Sequence, residues 1–347
     1  VTGSLTSEGL DSMAVPAVHD DGYTGENVTV AVIDLGFDAT NPEIADNVVE
    51  TTSMARTDPF VNRSGRHGTA VAEVLTDTAP NVSLVLLSVG LLLWLFFELD
   101  PGVTTTRVFI AVGISAVLGY VAYALDTASL PGMLTGVLLS LLTIVLGGYG
   151  WFAMLITFFG LGGLSTKYQY EAKQDRGIAE ANEGARGSGN VLANSIVALL
   201  SVLAWAASPT HIAVEPALFL YAFAGAVAAA MTDTFSSEFG GLYDNPRLIT
   251  TFEVVDPGTD GAVTWQGIAA GLVGAAIIAG IAAATIDTVG AVGAALVVVC
   301  GFVGMTVDSV LGATVEGTVV GNQGVNTLAT LAAALTGAGV ALALTLV

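Results

Sequence analysis

The sequence predicts an all-α polytopic membrane protein carrying a short α/β fragment at its N-terminus, and three observations lead there. Hydrophobic residues make up 53% of the 347 and charged residues only 11%. Mean hydropathy is +0.76, outside the range of soluble domains. Beyond about residue 87 the chain is a succession of apolar runs, many near the roughly 18–20 residues that cross a bilayer core of about 30 Å as a helix, whereas residues 1–87 have the pattern of a soluble α/β piece. The expected domains are therefore 1–87 and 88–347.

In order, the apolar runs are 82–99, 108–125, 131–148, 151–164, 191–207, 212–231, 267–286, 289–305 and 325–347. The third and fourth form one stretch broken only at Gly147-Gly148-Tyr149-Gly150, and the fourth is short enough to re-enter instead of crossing, so the count is nine or eight. The single cysteine, Cys300, lies inside a run. It excludes an intrachain disulfide and reads as a small core residue.

Net charge is −21. Up to Asn81 there are 3 Arg against 13 acids, and after it 6 basic against 17 acidic residues. Both parts are acidic, and Lys167 and Lys173 are the only lysines, the composition of an extreme halophile whose surface carboxylates keep it soluble in concentrated salt. Such a charge argues against nucleic acid as a partner. No basic-then-apolar leader stands in the first 30 residues, so no secretory signal is expected.

In the N-terminal piece, Val28-Thr29-Val30-Ala31-Val32-Ile33-Asp34 reads as a buried strand between Gly25 and Gly36, and residues 68–77 as a helix ending before Pro80. Val30-Ala31-Val32-Ile33-Asp34-Leu35-Gly36 and His67-Gly68-Thr69-Ala70-Val71-Ala72 resemble the aspartate and histidine motifs of subtilisin-like serine proteases. In that family the nucleophile lies in a Gly-Thr-Ser-x-Ala motif, which does not occur in this sequence. Asp34 and His67 thus lack a nucleophile, and the expectation is a truncated, inactive fragment.

Four of the six basic residues after Asn81, namely Lys167, Lys173, Arg176 and Arg186, fall between the fourth and fifth runs, which makes that loop cytoplasmic by the positive-inside rule. Two spans further on, the loop with Asp233, Glu238, Arg247 and Asp260 returns to the same side, and two more bring Asp308, Glu316 and Asn326 there. The polar motifs then all face the cytosol of a cell-membrane protein. Arg107 falls on the outer side, against the rule.

Asp233 and Asp308 stand at the ends of apolar runs, where a carboxylate is costly unless it meets a polar cavity, a partner or a metal. Gly304, Asp308 and Gly312 form one i, i+4, i+8 row, whose glycines let a neighbouring helix close in. Acids with hydroxyl neighbours suit Mg²⁺, which takes a few oxygen ligands and fills its shell with water and phosphate. They equally suit a cation or proton path. Gly187-Ser188-Gly189-Asn190 precedes the fifth run, where free N–H groups at a helix start bind anions, and Asn190 and Asn194 lie one turn apart. Ordinary capping and helix-to-helix bonding account for the same residues.

From about residue 91 to the C-terminus the chain resembles the multi-pass family called domain of unknown function 92, which includes the plant phytyl-phosphate kinase. The matching residues are Gly148-Tyr149-Gly150-Trp151, Ser165-Thr166-Lys167-Tyr168, Gly189-Asn190-Val191-Leu192-Ala193-Asn194, Asp233-Thr234-Phe235-Ser236-Ser237-Glu238, Pro257-Gly258-Thr259-Asp260-Gly261 and Asp308-Ser309-Val310-Leu311-Gly312-Ala313-Thr314. A more distant likeness connects Asp233 through Gly261 with polyprenol kinases and CDP-diacylglycerol synthases. These resemblances imply phosphoryl transfer from CTP or another NTP to a polyprenyl alcohol or polyprenyl phosphate, an isoprenoid lipid in the bilayer. Asp233 and Asp308 would then hold Mg²⁺. Lys167, Arg247 and the surroundings of Gly189, Asn190, Asn194, Gly258 and Thr259 would hold nucleotide phosphates, with Glu238 or Asp260 accepting a proton. A transporter using the two aspartates as a coupling-ion site, and a membrane protein without catalysis, remain the alternatives.

Overall fold

The computed structural model describes residues 103–179, 185–208, 210–317 and 319–347. All belong to one compact unit, Phe96–Val347. The expected strand at 28–34, the helix at 68–77, Asp34, His67 and the apolar run at 82–99 lie outside the described residues.

Among the described residues, eight helices are long and apolar enough to cross a membrane. Helix α1 (Thr105–Ala124) is capped by the Thr104 hydroxyl, which accepts from the Arg107 N–H. Ser129 caps α2 (Leu130–Leu142), with Pro131 near its start, and a π-helical turn over Thr143–Gly147 ends that span. Gly148 then takes φ +94°, which only glycine adopts freely, and reverses the chain into α3 (Tyr149–Lys167). The break read from Gly147-Gly148-Tyr149-Gly150 is this turn, and the fourth run belongs to a 19-residue helix, long and apolar enough to cross a membrane. Arg107 has a use at that end: its Nε and Nη2 donate to the Ile144 carbonyl at 3.1 and 3.0 Å, satisfying a helix end with few partners of its own.

After the short α4 (Tyr170–Asp175) come α5 (Ser188–Ala207) and α6 (Pro216–Gly240). A two-residue ladder of β1 (Arg247–Leu248) and β2 (Ala262–Val263) closes the next loop. The chain ends with α7 (Trp265–Thr285), α8 (Ala291–Thr314) and α9 (Asn322–Ala343).

Helix α6 is the hub, packed against α3, α5, α7, α8 and α9 and buried from Leu220 through Thr232. Its sequence explains this position. Ala222, Ala224, Gly225, Ala226 and Ala228–Ala230 leave a thin cylinder, and in lipid it is close backbone approach, not hydrophobicity, that holds helices together. Gly304 of α8 faces Ala229, and Gly337 of α9 lies against the Tyr221 backbone. Cys300 is buried in this same interface. Helices α6 and α8 continue past the apolar runs that end at Met231 and Met305 to Gly240 and Thr314, as the helical rows through Asp233 and Asp308 require, because these acids face an internal cavity and the helix need not stop where polarity begins.

Candidate functional site

At the end of the bundle where α6 and α8 finish and α5 and α9 begin, the helices leave a polar cavity of about 280 Å³. Asp233 projects into it from α6 and Asp308 from α8, although 75 positions separate them in sequence. Their carboxyl groups lie within hydrogen-bonding reach of each other. Asp308 Oδ2 is buried and receives no hydrogen bond. Two adjacent carboxyl groups with an unpaired oxygen fit a cation such as Mg²⁺, which is held in proteins by one or two carboxylates plus water and phosphate. Among the described residues no group of three or more His, Cys, Asp and Glu is arranged to hold a metal, so any ion here would take its remaining ligands from elsewhere.

Lys173 and Arg186 supply the cavity's positive charge. Gln169, at φ +51°, folds α4 back on the end of α3, where the Lys173 ammonium donates to the Ser165 and Thr166 carbonyls at 2.8 and 3.2 Å. These carbonyls belong to the last turn of a helix, where few N–H groups remain to satisfy them and a cation is favourable. The same ammonium pairs with Glu238 Oε2 at 2.6 Å. Arg186 is fixed by its backbone to the α1–α2 turn, donating to the Thr127 carbonyl and accepting from the Ser129 N–H, both at 3.1 Å. Its guanidinium stands 5.3 Å from the Phe158 ring centre, and Nη2 reaches Thr234 Oγ1 at 3.5 Å, beside Asp233.

The N-termini of α5 and α9 carry a shared pattern, Gly189-Asn190-x-x-x-Asn194 and Gly321-Asn322-x-x-x-Asn326. All four asparagines line the cavity. Asn194 Nδ2 donates to the Asn190 carbonyl at 3.0 Å, and Asn326 Nδ2 to Asn322 Oδ1 at 3.4 Å. Thr327 of α9 donates to the Ala193 carbonyl of α5 at 3.2 Å, so the two helix starts are tied side by side. Their first-turn N–H groups and positive dipole ends thus converge on one volume.

The rim is the loop Pro257-Gly258-Thr259-Asp260-Gly261. Gly261 (φ +74°) lies directly on Ser309 and Ala313 of α8, where a β-carbon would collide with the Ser309 carbonyl, and this contact brings Asp260 to the cavity. Across the rim Glu316 has its carboxyl pushed above the usual range by burial and by the charge of Asp260, partly offset by a hydrogen bond with Asn322.

Of the residues expected from sequence, Asp233, Glu238, Asp260, Asp308, Asn190, Asn194, Gly258 and Thr259 line this cavity. Lys167, Gly189 and Arg247 do not. Lys167 is half-buried at the end of α3. Gly189 packs on Gln323. Arg247 donates to the Phe252 carbonyl at 2.7 Å inside its own loop. In sequence Lys173 and Arg186 could screen phosphate charge but read first as topology-setting charges, since their spacing carries no hint that α4 folds back. The repeated Gly-Asn-x-x-x-Asn pattern is the local signal that marks Asn322.

Helices that converge on buried carboxylates at one end of a bundle define an integral membrane protein with a polar site at one membrane face. Residues 113–341 match the family model described as integral membrane protein DUF92, and the chain belongs to that family. An uncharacterised membrane protein of Methanocaldococcus jannaschii is 32% identical over 257 residues, covering 69% of this chain and 97% of that protein. The chloroplastic protein VTE6 of Arabidopsis thaliana is 31% identical over 158 residues, 44% of this chain and 46% of its own length. A subtilisin of Bacillus pumilus is 39% identical over 82 residues, a match to 24% of this chain and 29% of the protease. No solved structure matches the chain.

Proposed function

We propose that the protein is a membrane-embedded kinase that transfers a phosphoryl group from CTP or another NTP to a polyprenyl alcohol or polyprenyl phosphate, with its site at the cytoplasmic face of the cell membrane. The observation that carries this reading is the meeting of Asp233 and Asp308 in a cavity onto which two helix N-termini open. The resemblance to a family that includes a phytyl-phosphate kinase supports it further.

The acceptor oxygen attacks the terminal phosphorus of the nucleotide, the bond to the β–γ bridging oxygen breaks, and its electron pair leaves with the nucleoside diphosphate. Catalysis of such a transfer is mostly positioning and charge neutralisation. Bound Mg²⁺ would neutralise phosphate charge between Asp233 and Asp308. The N–H groups opening α5 and α9 hold phosphate oxygens, and Asn190, Asn194, Asn322 and Asn326 offer amide donors around them. Lys173 contributes charge from a fixed position because Glu238 and two carbonyls hold it. Glu238 is committed to Lys173, which leaves Asp260 as the base for an alcohol acceptor; a phosphate acceptor needs no base.

A transporter is the second reading, favoured by the repeated Asn pattern flanking two aspartates. Against it, α6 and α8 run unbroken past their acids, whereas coupling-ion sites are typically built on interrupted helices. Purified protein in proteoliposomes, given radiolabelled CTP or ATP, Mg²⁺ and polyprenyl acceptors, tests the choice. Labelled lipid phosphate supports the kinase, and nucleotide-independent solute uptake without lipid labelling assigns the transporter.

A further inference from the structure

A second, apolar cavity of about 70 Å³ lies between α1, α2 and α3, with α5 at its inner end. It shares one residue with the polar cavity, Arg186. From Ala122, near the Arg186 end, its α1 wall runs seven residues back to Ser115, about 10 Å into the membrane-spanning layer. Ile156 and Phe159 line it from α3. Ser115 is 1% exposed, yet its hydroxyl has no hydrogen-bond partner. Serines in membrane helices ordinarily bond their own preceding turn or a neighbour. Gly136 of α2 lines the opposite wall, and a β-carbon there would meet nothing within 4 Å. The packing of the bundle therefore leaves this space unfilled, and Arg186 borders both it and the polar cavity.

We propose that this slot is the acceptor-lipid subsite: the head-proximal part of an isoprenoid chain lies between α1, α2 and α3, and Arg186 orients its anionic head group toward Asp233 and Asp308. The inference rests on the kinase reading for the direction of the head group, and on geometry alone for the chain. Charge complementarity selects an anionic amphiphile over a neutral one. The slot is too small for a whole polyprenyl chain, so the remainder extends into the bilayer. Arg186 is a substrate-binding residue that holds the acceptor's head group and takes no part in bond making or breaking.

The test uses the full chain in nanodiscs, with geranylgeranyl monophosphate and geranylgeraniol as probes, and measures affinity by the ligand-dependent rise in Tm. Gly136→Leu fills the slot from a point with free space and keeps a good helix former, so it should fold normally. Its affinity for geranylgeranyl monophosphate is expected to fall about tenfold, the loss of roughly two buried methylene groups. Arg186→Gln should abolish the preference for the phosphate over the alcohol while leaving the alcohol's affinity unchanged. Wild-type affinity in Gly136→Leu, or no binding of either probe to the wild type, overturns the slot. The kinase reading is scored separately: these binding changes without phosphoryl transfer from any nucleotide uphold the slot and remove the kinase.

Discussion

Lys173 Nζ lies 2.6 Å from Glu238 Oε2, with the two side chains only 2% and 11% exposed. This pair clamps the fold-back of α4 onto the end of α6, and it sits in the cavity wall, so architecture and site depend on the same contact.

Removing one partner should expose that dependence. Lys173→Met leaves Glu238 without its counter-charge, and losing one member of a buried pair costs about 3–5 kcal/mol. A clear drop in Tm is the expected result. The double variant Lys173→Met with Glu238→Leu should recover most of the Tm, because an apolar pair replaces the ionic one. Lipid phosphorylation should nevertheless stay lost in the double variant if the ammonium neutralises phosphate. Full activity there would reduce Lys173 to a structural role.

Asp233→Asn and Asp308→Asn should each abolish phosphoryl transfer with folding retained, since the change is isosteric. The double variant should be no worse than either single one, as for residues acting as a unit. Mn²⁺ binding followed by electron paramagnetic resonance gives a readout independent of turnover. A single variant with wild-type Mn²⁺ affinity and activity removes the metal-site assignment.

Glu316 gives a pH test. Its carboxyl titrates above the usual range in the fold, chiefly through burial and then through Asp260. At low pH both the folded and unfolded chain hold the proton and nothing is gained or lost. As pH rises past the ordinary glutamate value the unfolded chain ionises first, and the fold loses stability until pH has passed through the raised value. Glu316→Gln should therefore raise Tm at pH 7 and leave it unchanged below about pH 4. A Tm difference that is the same at both pH values would contradict this.

Gly261 should not tolerate a side chain. Alanine at φ +74° costs about 1–2 kcal/mol in backbone strain, and here its β-carbon also meets the Ser309 carbonyl. Gly261→Ala should lift the rim loop and displace Asp260, with KM for the nucleotide rising more than kcat falls. Unchanged kinetics would mean that the rim does not touch substrate.

Membrane class, the spans and the grouping of polar motifs are legible in the amino-acid sequence, because each follows from local quantities: run length, hydropathy and span parity. Eight of the expected runs are helices in the fold. Asp233 and Asp308 are marked by the cost of a carboxylate in an apolar run, a purely local signal. Tertiary structure decides which partners they meet. Lys167 and Lys173 are six positions apart and chemically alike, yet only Lys173 enters the cavity, because Gln169 adopts a left-handed turn and α4 folds back. The likeness to polyprenol kinases implies a phosphate ligand at Arg247, but the ladder with Val263 directs it to the Phe252 carbonyl. The slot beside Arg186 is a gap between three helices. Sequence limits which residues can border such a gap, while its existence depends on how closely helices approach, a sum of many side-chain contacts that no single segment carries.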